Sequence, residues 1–452
     1  MKLFRGRIFT PTGNPFEDSR AWTAFEDGFL AVEDGRIAAI GPWSSRPEAS
    51  ELVEFGSAAL LVPGFVDLHL HAPQLEMIGS FGGQLLEWLE RYTFPNEAKF
   101  ADPKHAERVA RLFYDELYRH GTLTALVFST THTSATETFF REAERVRFRA
   151  ILGKTMMDRN APPELLEDPE TAHRESRGLI ERWNGRGRLG YAITPRFAPT
   201  SSPRLLELAG ALHAEFPETW VHTHLSESAI EIEWVRRLFP DARDYAAIYD
   251  RYGLLGERSV LAHAIHLDDE ERALVASRGS RVAHCPNSNL FLGSGLFPMQ
   301  QMLESGIAFG LGSDVGAGTA LSMFSVMADA YKVQQVRGLV LTPVQLWYLG
   351  TLAGARALHL DAETGSLEPG KAADFLVLDL EATPLLEART RTSQSFEEIL
   401  AALIFLGDDR AVLECRVEGD LLRSRDLSIP GRPGGATFAR VNRRRSAEGG
   451  SQ

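Results

Sequence analysis

Between about residues 63 and 362 the chain alternates strand-like apolar runs with stretches of helical spacing, and this alternation limits the fold more than any other feature. Eight runs read as strands: Phe65–His71, Leu123–Thr130, Ala150–Met156, Leu189–Thr194, Trp220–His224, Ser259–His263, Arg281–His284 and Ile307–Leu311. The run Leu123–Phe128 reads as a continuous apolar strand of the kind buried on both faces of a parallel sheet. Helix signals fall between the strands. Asp102-Pro103 supplies an N-cap followed by proline at the first helical position; Ala106, Val109, Leu112, Phe113 and Leu117 then keep one face apolar, and Gly121 ends the pattern. Ser202-Pro203, Asp268 or Asp269, and Thr342-Pro343 open later helices. Eight strands alternating with helices predict an α/β fold, a (β/α)8 barrel of the TIM type.

The two ends have a different texture. Phe29–Val32 and Arg36–Ile40 flank an Asp34-Gly35 turn signal; Asp374–Asp379 is strand-like, and Cys415–Leu422 carries a Gly419-Asp420 turn. Residues 1–62 and 363–425 are therefore expected to form one discontinuous β-sandwich domain beside the barrel of residues 63–362. Residues 426–452, with Arg443-Arg444-Arg445, are expected to be a poorly ordered tail.

Active sites of such barrels form at the C-terminal ends of the strands. The first strand lies in PGFVDLHLHAPQ (Pro63–Gln74), where His69 and His71 are two apart and so project from the same face. Strand five ends in His222 and His224, strand six in His263, strand seven in His284, and Asp314 follows strand eight. One such histidine alone is ordinarily a hydrogen-bonded core residue. Convergence of several with a carboxylate at one barrel mouth points instead to a metal site. Imidazoles plus one carboxylate suit zinc, with iron or manganese also compatible, and bound zinc lowers the pKa of its water to about 7. The histidines at 105, 120, 173, 213 and 359 sit in helical or connecting segments and read as surface or packing residues, while His132 and His266 stay unassigned.

Other chemistries find no support. A net charge of −13 argues against a nucleic-acid or anionic-membrane surface. Cys285 and Cys415 are the only cysteines, so no disulfide framework is implied, and Cys285 reads as a small buried hydrophobe. No run is apolar enough for a membrane span and no signal peptide is evident, so a soluble, cytoplasmic protein is expected. A zinc-protease helix, the zinc-deaminase signature of nucleic-acid editors, a phosphate-binding loop and a nucleophile elbow are all missing. GSDVGAG (Gly312–Gly318) reads as a loop displaying Asp314.

PGFVDLHLH, HTH at strand five, LAH at strand six and GSD at strand eight together resemble the amidohydrolase superfamily of metal-dependent hydrolases. GSLEPGKAADFLVLDL (Gly365–Leu380) is similar to the segment by which its members return to their small β domain. LLEWLERYTFPNEAKF, ITPRFAPT, HTHLSES and VAHCPNSNLFLGSG are similar to motifs of the guanine-deaminating members. The resemblance implies one zinc ion held by His69, His71, His224 and Asp314. It makes Glu227 the general acid/base, lets Asp314 share in proton transfer, and has His263 orient the hydroxide. Gln74, Arg196 and Phe197 would hold a purine, with Trp88 helping to close the pocket. The metal-bridging lysine of binuclear relatives has no counterpart on strand four, and Lys154 lies at strand three, which favours a single metal. His284 and Asn287 match motif positions without an assigned role, and a homodimer is what the family suggests.

These roles agree with the chemistry. Hydrolytic deamination of guanine to xanthine and ammonia adds water at the amino-bearing ring carbon and needs a carboxyl group to move protons. An arginine donates without accepting, so Arg196 favours a carbonyl oxygen or a ring-nitrogen lone pair, while Gln74 can do both. Phe197 offers a face for stacking. The residues leave other readings open: a deaminase of a related heterocycle (8-oxoguanine, a pterin, cytosine or a triazine), a cyclic-amide hydrolase, or an inactive binding protein on the same fold.

Overall fold

All seven residues of Thr122–Phe128 are buried, so this strand has no wet face and needs cover on both sides. The cover comes from helices such as Pro103–Arg119, whose N-terminus is capped where Asp102 accepts from the Lys104 backbone N–H. In the computed structural model, which describes residues 1–425 and 439–443, all eight expected strands form and pair in parallel. They run in chain order: Phe65–His71, Thr122–Phe128, Arg149–Gly153 with Thr155–Met156, Leu189–Pro195, Trp220–Leu225, Ser259–His263, Arg281–His284 and Phe309–Leu311. This is a (β/α)8 barrel. Registers such as His71 beside Phe128, Leu225 beside His263 and His284 beside Leu311 gather the C-terminal ends at one rim.

Several strands depart from their expected bounds; strand two, for one, is Thr122–Phe128 and ends short of Thr130. Strand eight is shorter than Ile307–Leu311, because the Ile307 N–H bonds back to the Met302 carbonyl and belongs to the turn ending the preceding helix. Strand three breaks at Lys154 before resuming at Thr155. The barrel closes between strand eight and strand one mainly through the loop that follows strand eight. Asp314 N–H donates to the His69 carbonyl and His71 N–H donates to the Val315 carbonyl, both at 2.7 Å.

The terminal segments build a separate mixed sheet. Lys2–Pro11 pairs antiparallel with Trp22–Glu33, and parallel with Glu51–Phe55 along its first half and Ala59–Pro63 along its second. Phe375–Asp379 joins antiparallel to Ala59–Pro63, so the two ends of the chain share one sheet. Asp34 and Gly35 both take positive φ at the expected hairpin, whereas the later turn is Glu418-Gly419, one residue earlier than the Gly419-Asp420 signal. Pro343–Ala355 groups with these terminal segments rather than with the barrel, as residues 63–362 had implied. The reason is packing: the Trp347 ring meets Phe9 edge-on at 5.9 Å and its indole N–H donates to the Leu400 carbonyl. Within the expected tail, Ala439–Arg443 forms a strand antiparallel to Glu51–Phe55; the rest of 426–452, including Arg444 and Arg445, lies outside the described residues.

Gly210 tests how tightly the barrel helices are seated. It lies inside the helix Pro203–Glu215, where alanine would ordinarily be favoured by about 1 kcal/mol. A Cβ there would sit 1.8 Å from the Tyr252 carbonyl oxygen, a backbone atom with little room to yield. The clash wins: Gly210→Ala is expected to destabilise by about 1–3 kcal/mol, read as a lower midpoint in denaturant unfolding.

Candidate active site

Strand periodicity explains the first pair of side chains. Leu68 and Leu70 are fully buried on one face of strand one, which turns His69 and His71 to the other. His69 Nδ1 is 2.7 Å from His222 Nε2, and His224 Nδ1 donates to the Arg196 carbonyl at 2.7 Å. Each contact occupies one ring nitrogen and leaves Nε2 for the centre. Phe128 lies beneath them, stacked on His71 at 4.7 Å and against His222 at 4.3 Å.

Ligand atoms crowd together here. His71 Nε2 is 3.3 Å from His69 Nε2, 3.2 Å from His224 Nε2 and 3.4 Å from Asp314 Oδ1, and His69 Nε2 is 3.1 Å from the same oxygen. Burial holds the pKa values of these histidines down, that of His71 to about 3 and that of His224 well below the ordinary value, so they are neutral lone-pair donors. Burial opposes ionisation of Asp314, yet His69, His71 and His263 hold its carboxyl well below the usual range. Converging lone pairs repel unless a positive charge lies between them. A tetrahedral ion with ligands at 2.0–2.1 Å places those ligands about 3.3–3.4 Å apart, and the four separations above match this to within a few tenths. An overlapping set, His69, His224, His263 and Asp314, has one ligand atom each within 4.8 Å of the others. The shorter separations favour the set containing His71. The cluster can hold a divalent metal.

His263 reaches the site from the side. Its Nδ1 lies 2.9 Å from Asn289 Oδ1, which aims Nε2 at Glu227 Oε2, 3.4 Å away, and at Asp314 Oδ2, 3.8 Å away. Glu227 does not serve its helix as a dipole-favoured acid. That helix is Ala229–Leu238, capped by Ser228, and Glu231 completes the capping box. Glu227 instead accepts from Ser294 Oγ at 2.9 Å, and burial with Asp314 nearby pushes its carboxyl up to about 8.

The opposite wall is built on strand four and on the segment after strand one. His71, Gln74, Trp88, Arg196, Phe197, His224, Glu227, His263 and Asp314 all line one pocket, with His69 fully buried within the histidine cluster. Leu85, Leu89, Leu292 and Ala317 supply its apolar lining. Phe197 meets Trp234 edge-on at 6.2 Å, and the Trp88 indole N–H donates to the Ser80 carbonyl at 2.8 Å. The sequence reading missed Glu97, 1% exposed, which pairs with Arg196 Nη1 through both oxygens at 2.9 and 2.7 Å. It also missed Asp67, whose Oδ1 accepts from the backbones of His69 and Ser313.

Several residues stay outside this constellation. Lys154 is fully buried and paired with Glu167. His284 stacks on Phe297 at 4.2 Å, and Asn287 Nδ2 donates to Asp329 at 2.8 Å. Cys285 is buried and its thiol is pushed well above its ordinary pKa by burial.

With this geometry in view, the sequence profile of the amidohydrolase family matches residues 60–422. The chain belongs to the amidohydrolase family. Among its relatives is a guanine deaminase of Escherichia coli (strain K12), 43% identical over 433 residues that make up 94% of this amidohydrolase and 98% of the relative. The solved structure of E. coli guanine deaminase matches with a TM-score of 0.92 over 94% of this chain and 100% of that one. A guanine deaminase from C. acetobutylicum, solved with bound guanine in its active site, is 30% identical with a TM-score of 0.85, covering 93% of this chain and 99% of that chain. An adenosine deaminase from Xanthomonas campestris, solved with bound zinc, is 25% identical with a TM-score of 0.81, covering 94% of each chain.

The capping glutamate makes the stability of this amidohydrolase depend on pH. Glu231 Oε2 accepts from the N–H groups of Glu227 and Ser228, and Oε1 accepts from the Tyr245 hydroxyl. Burial, with Glu227 nearby, nonetheless raises its pKa from 4.5 to about 7. Between those values the unfolded chain ionises and the folded one does not, so stability falls as pH rises through the window. Glutamine can keep the capping bonds without the charge. Glu231→Gln is expected to be more stable than the wild type at pH 8, by up to about 3 kcal/mol in denaturant unfolding, with the difference shrinking toward pH 5.

Proposed function

We propose that this amidohydrolase catalyses the hydrolytic deamination of guanine to xanthine and ammonia. The observation that carries the reading is a single pocket in which Arg196, Gln74 and Phe197 face the cluster of His69, His71, His224, His263, Glu227 and Asp314. Close relatedness over almost the whole chain to guanine deaminases supports the choice of substrate. In this reading His69, His71, His224 and Asp314 hold one metal ion. Zinc is favoured by the nitrogen-rich, roughly tetrahedral donor set and by the zinc in the adenosine deaminase. When bound there, such an ion supplies Lewis-acid chemistry that lowers the pKa of water toward neutrality.

The remaining work falls to the protein. Arg196 donates to a carbonyl oxygen or ring nitrogen of the purine, Gln74 contacts the same ring edge, and Phe197 gives it a face. Trp88 closes the apolar side and keeps bulk water out. Water oxygen adds to C2, the carbon bearing the exocyclic amine, and Glu227 takes the water proton and delivers it to the adjacent ring nitrogen. Asp314 shares the second proton transfer, His263 orients the water, and the C2–N bond breaks as the protonated amine leaves as ammonia. A cytoplasmic location belongs to the same reading, supported by two buried free cysteines, as does a homodimer on family resemblance. Among the described residues no helix is long and apolar enough to cross a membrane.

Purified protein loaded with zinc should form xanthine and ammonia in equal amounts from guanine, and absence of xanthine would refute the proposal. Metal analysis of protein as isolated decides between zinc and iron or manganese. Glu227→Gln should keep the metal and lose turnover by roughly 10²–10⁴-fold, since it removes proton transfer and spares the ligands. His69→Asn should instead lower the metal bound per chain, and unchanged stoichiometry would count against ligation.

A further inference from the structure

We infer that Glu97 is the specificity-determining positioning residue of the pocket: it orients Arg196 and Gln74 so that the site accepts a purine edge carrying a carbonyl and rejects one carrying an amine there. The inference rests on the deaminase reading above, and deepens it.

Glu97 ends the short helix Phe94–Glu97, and the neighbouring Asn96 pins that helix by donating to the Pro73 carbonyl at 2.5 Å. From there its carboxylate makes three contacts in a buried site. Both oxygens receive Arg196 Nη1, and Oε1 also receives Gln74 Nε2 at 2.9 Å. Arg196 is 3% exposed, so its charge depends on this partner rather than on water. The pairing uses one guanidinium nitrogen. Nε and Nη2 have no hydrogen-bond partner among the described residues, and the side chain lines the pocket. They present donors only, which complement a carbonyl and leave an amino group unpaired.

The same carboxylate fixes the Gln74 amide. Gln74 Oε1 accepts from the Gly316 N–H at 3.1 Å while Nε2 donates to Glu97. A flipped amide would set oxygen against carboxylate and N–H against N–H, losing both bonds at once. A neutral amide at position 97 removes that penalty and leaves Arg196 without its counter-charge. Glu97 does not itself line the pocket, so it acts through these two side chains.

The test compares guanine with 2,6-diaminopurine, in which an amine replaces the carbonyl, as substrates for the wild type, Glu97→Gln and Glu97→Asp. Glu97→Gln is expected to lower kcat/KM for guanine about 100-fold, chiefly through KM, and to shrink the preference for guanine over 2,6-diaminopurine at least about tenfold. Glu97→Asp keeps the charge and should recover part of that preference. Metal content and melting temperature are read on the same samples, because a purely structural role would lower activity on both purines alike and leave the ratio unchanged. An unchanged ratio overturns the inference, whatever happens to total activity. If the wild type makes no xanthine, the deaminase reading fails on its own. Calorimetric binding of hypoxanthine and adenine then still decides Glu97: a wild-type preference for hypoxanthine that Glu97→Gln abolishes supports its role, and equal preference in both proteins overturns it.

Discussion

Two backbone hydrogen bonds at the closing seam of the barrel hold the site together. Strand eight is only Phe309–Leu311, too short to zip against strand one, and the loop beyond it completes the ring through the His69 carbonyl and the His71 N–H. Asp67 reinforces the seam by accepting from both sides of it, from His69 and from Ser313. Gly312 makes the approach possible, since a Cβ there would lie 2.9 Å from that of His69. Asp314 is therefore delivered to His69 and His71 by the same bonds that close the barrel. Its φ of 49° is a strained backbone position for a residue other than glycine, and the seam holds it there.

Burial then sets the chemistry. Desolvation keeps His69, His71, His222 and His224 neutral, while the adjacent imidazoles allow Asp314 to remain charged. The pocket thus separates into two electrostatic halves. One gathers lone pairs around a carboxylate and calls for a cation; the other holds a guanidinium already matched by Glu97. Binding a neutral heterocycle between them does not require either half to give up its partner.

The barrel was legible because strand and helix periods differ, and its site because strands one, five, six and seven end in histidines while Asp314 follows strand eight. The His69/His71 pair, with His224, His263 and Asp314, could be gathered from four strand ends in the sequence alone. What escaped was everything set by distance across the rim. Glu97 follows Glu87 and Glu90 in one motif, and nothing in local spacing distinguishes the glutamate that is buried from its exposed neighbours. Glu227 was singled out only through the resemblance of HTHLSES; its place before a helix would also suit a cap, and the fold gives that role to Glu231. Strand eight was read too long because its apolar run includes Ile307, which the chain spends on a helix end. The Pro343–Ala355 segment carries an ordinary helix-start signal, and sequence proximity to the barrel concealed its packing with Phe9 and Leu400.

The mixed sheet has a consequence for how the chain comes together. Ala59–Pro63 and Phe375–Asp379 are adjacent strands, yet the entire barrel separates them in sequence. Pairing them directly from the unfolded chain would carry a large loop-closure entropy before any contact could repay it. A folded barrel shortens that loop, since its first and last strands already stand side by side at the seam. Late pairing leaves one edge of Ala59–Pro63 open until Phe375–Asp379 arrives, and an apolar open edge is a template for other chains. Were the barrel to form first, that edge would stay open for as long as the barrel takes to fold.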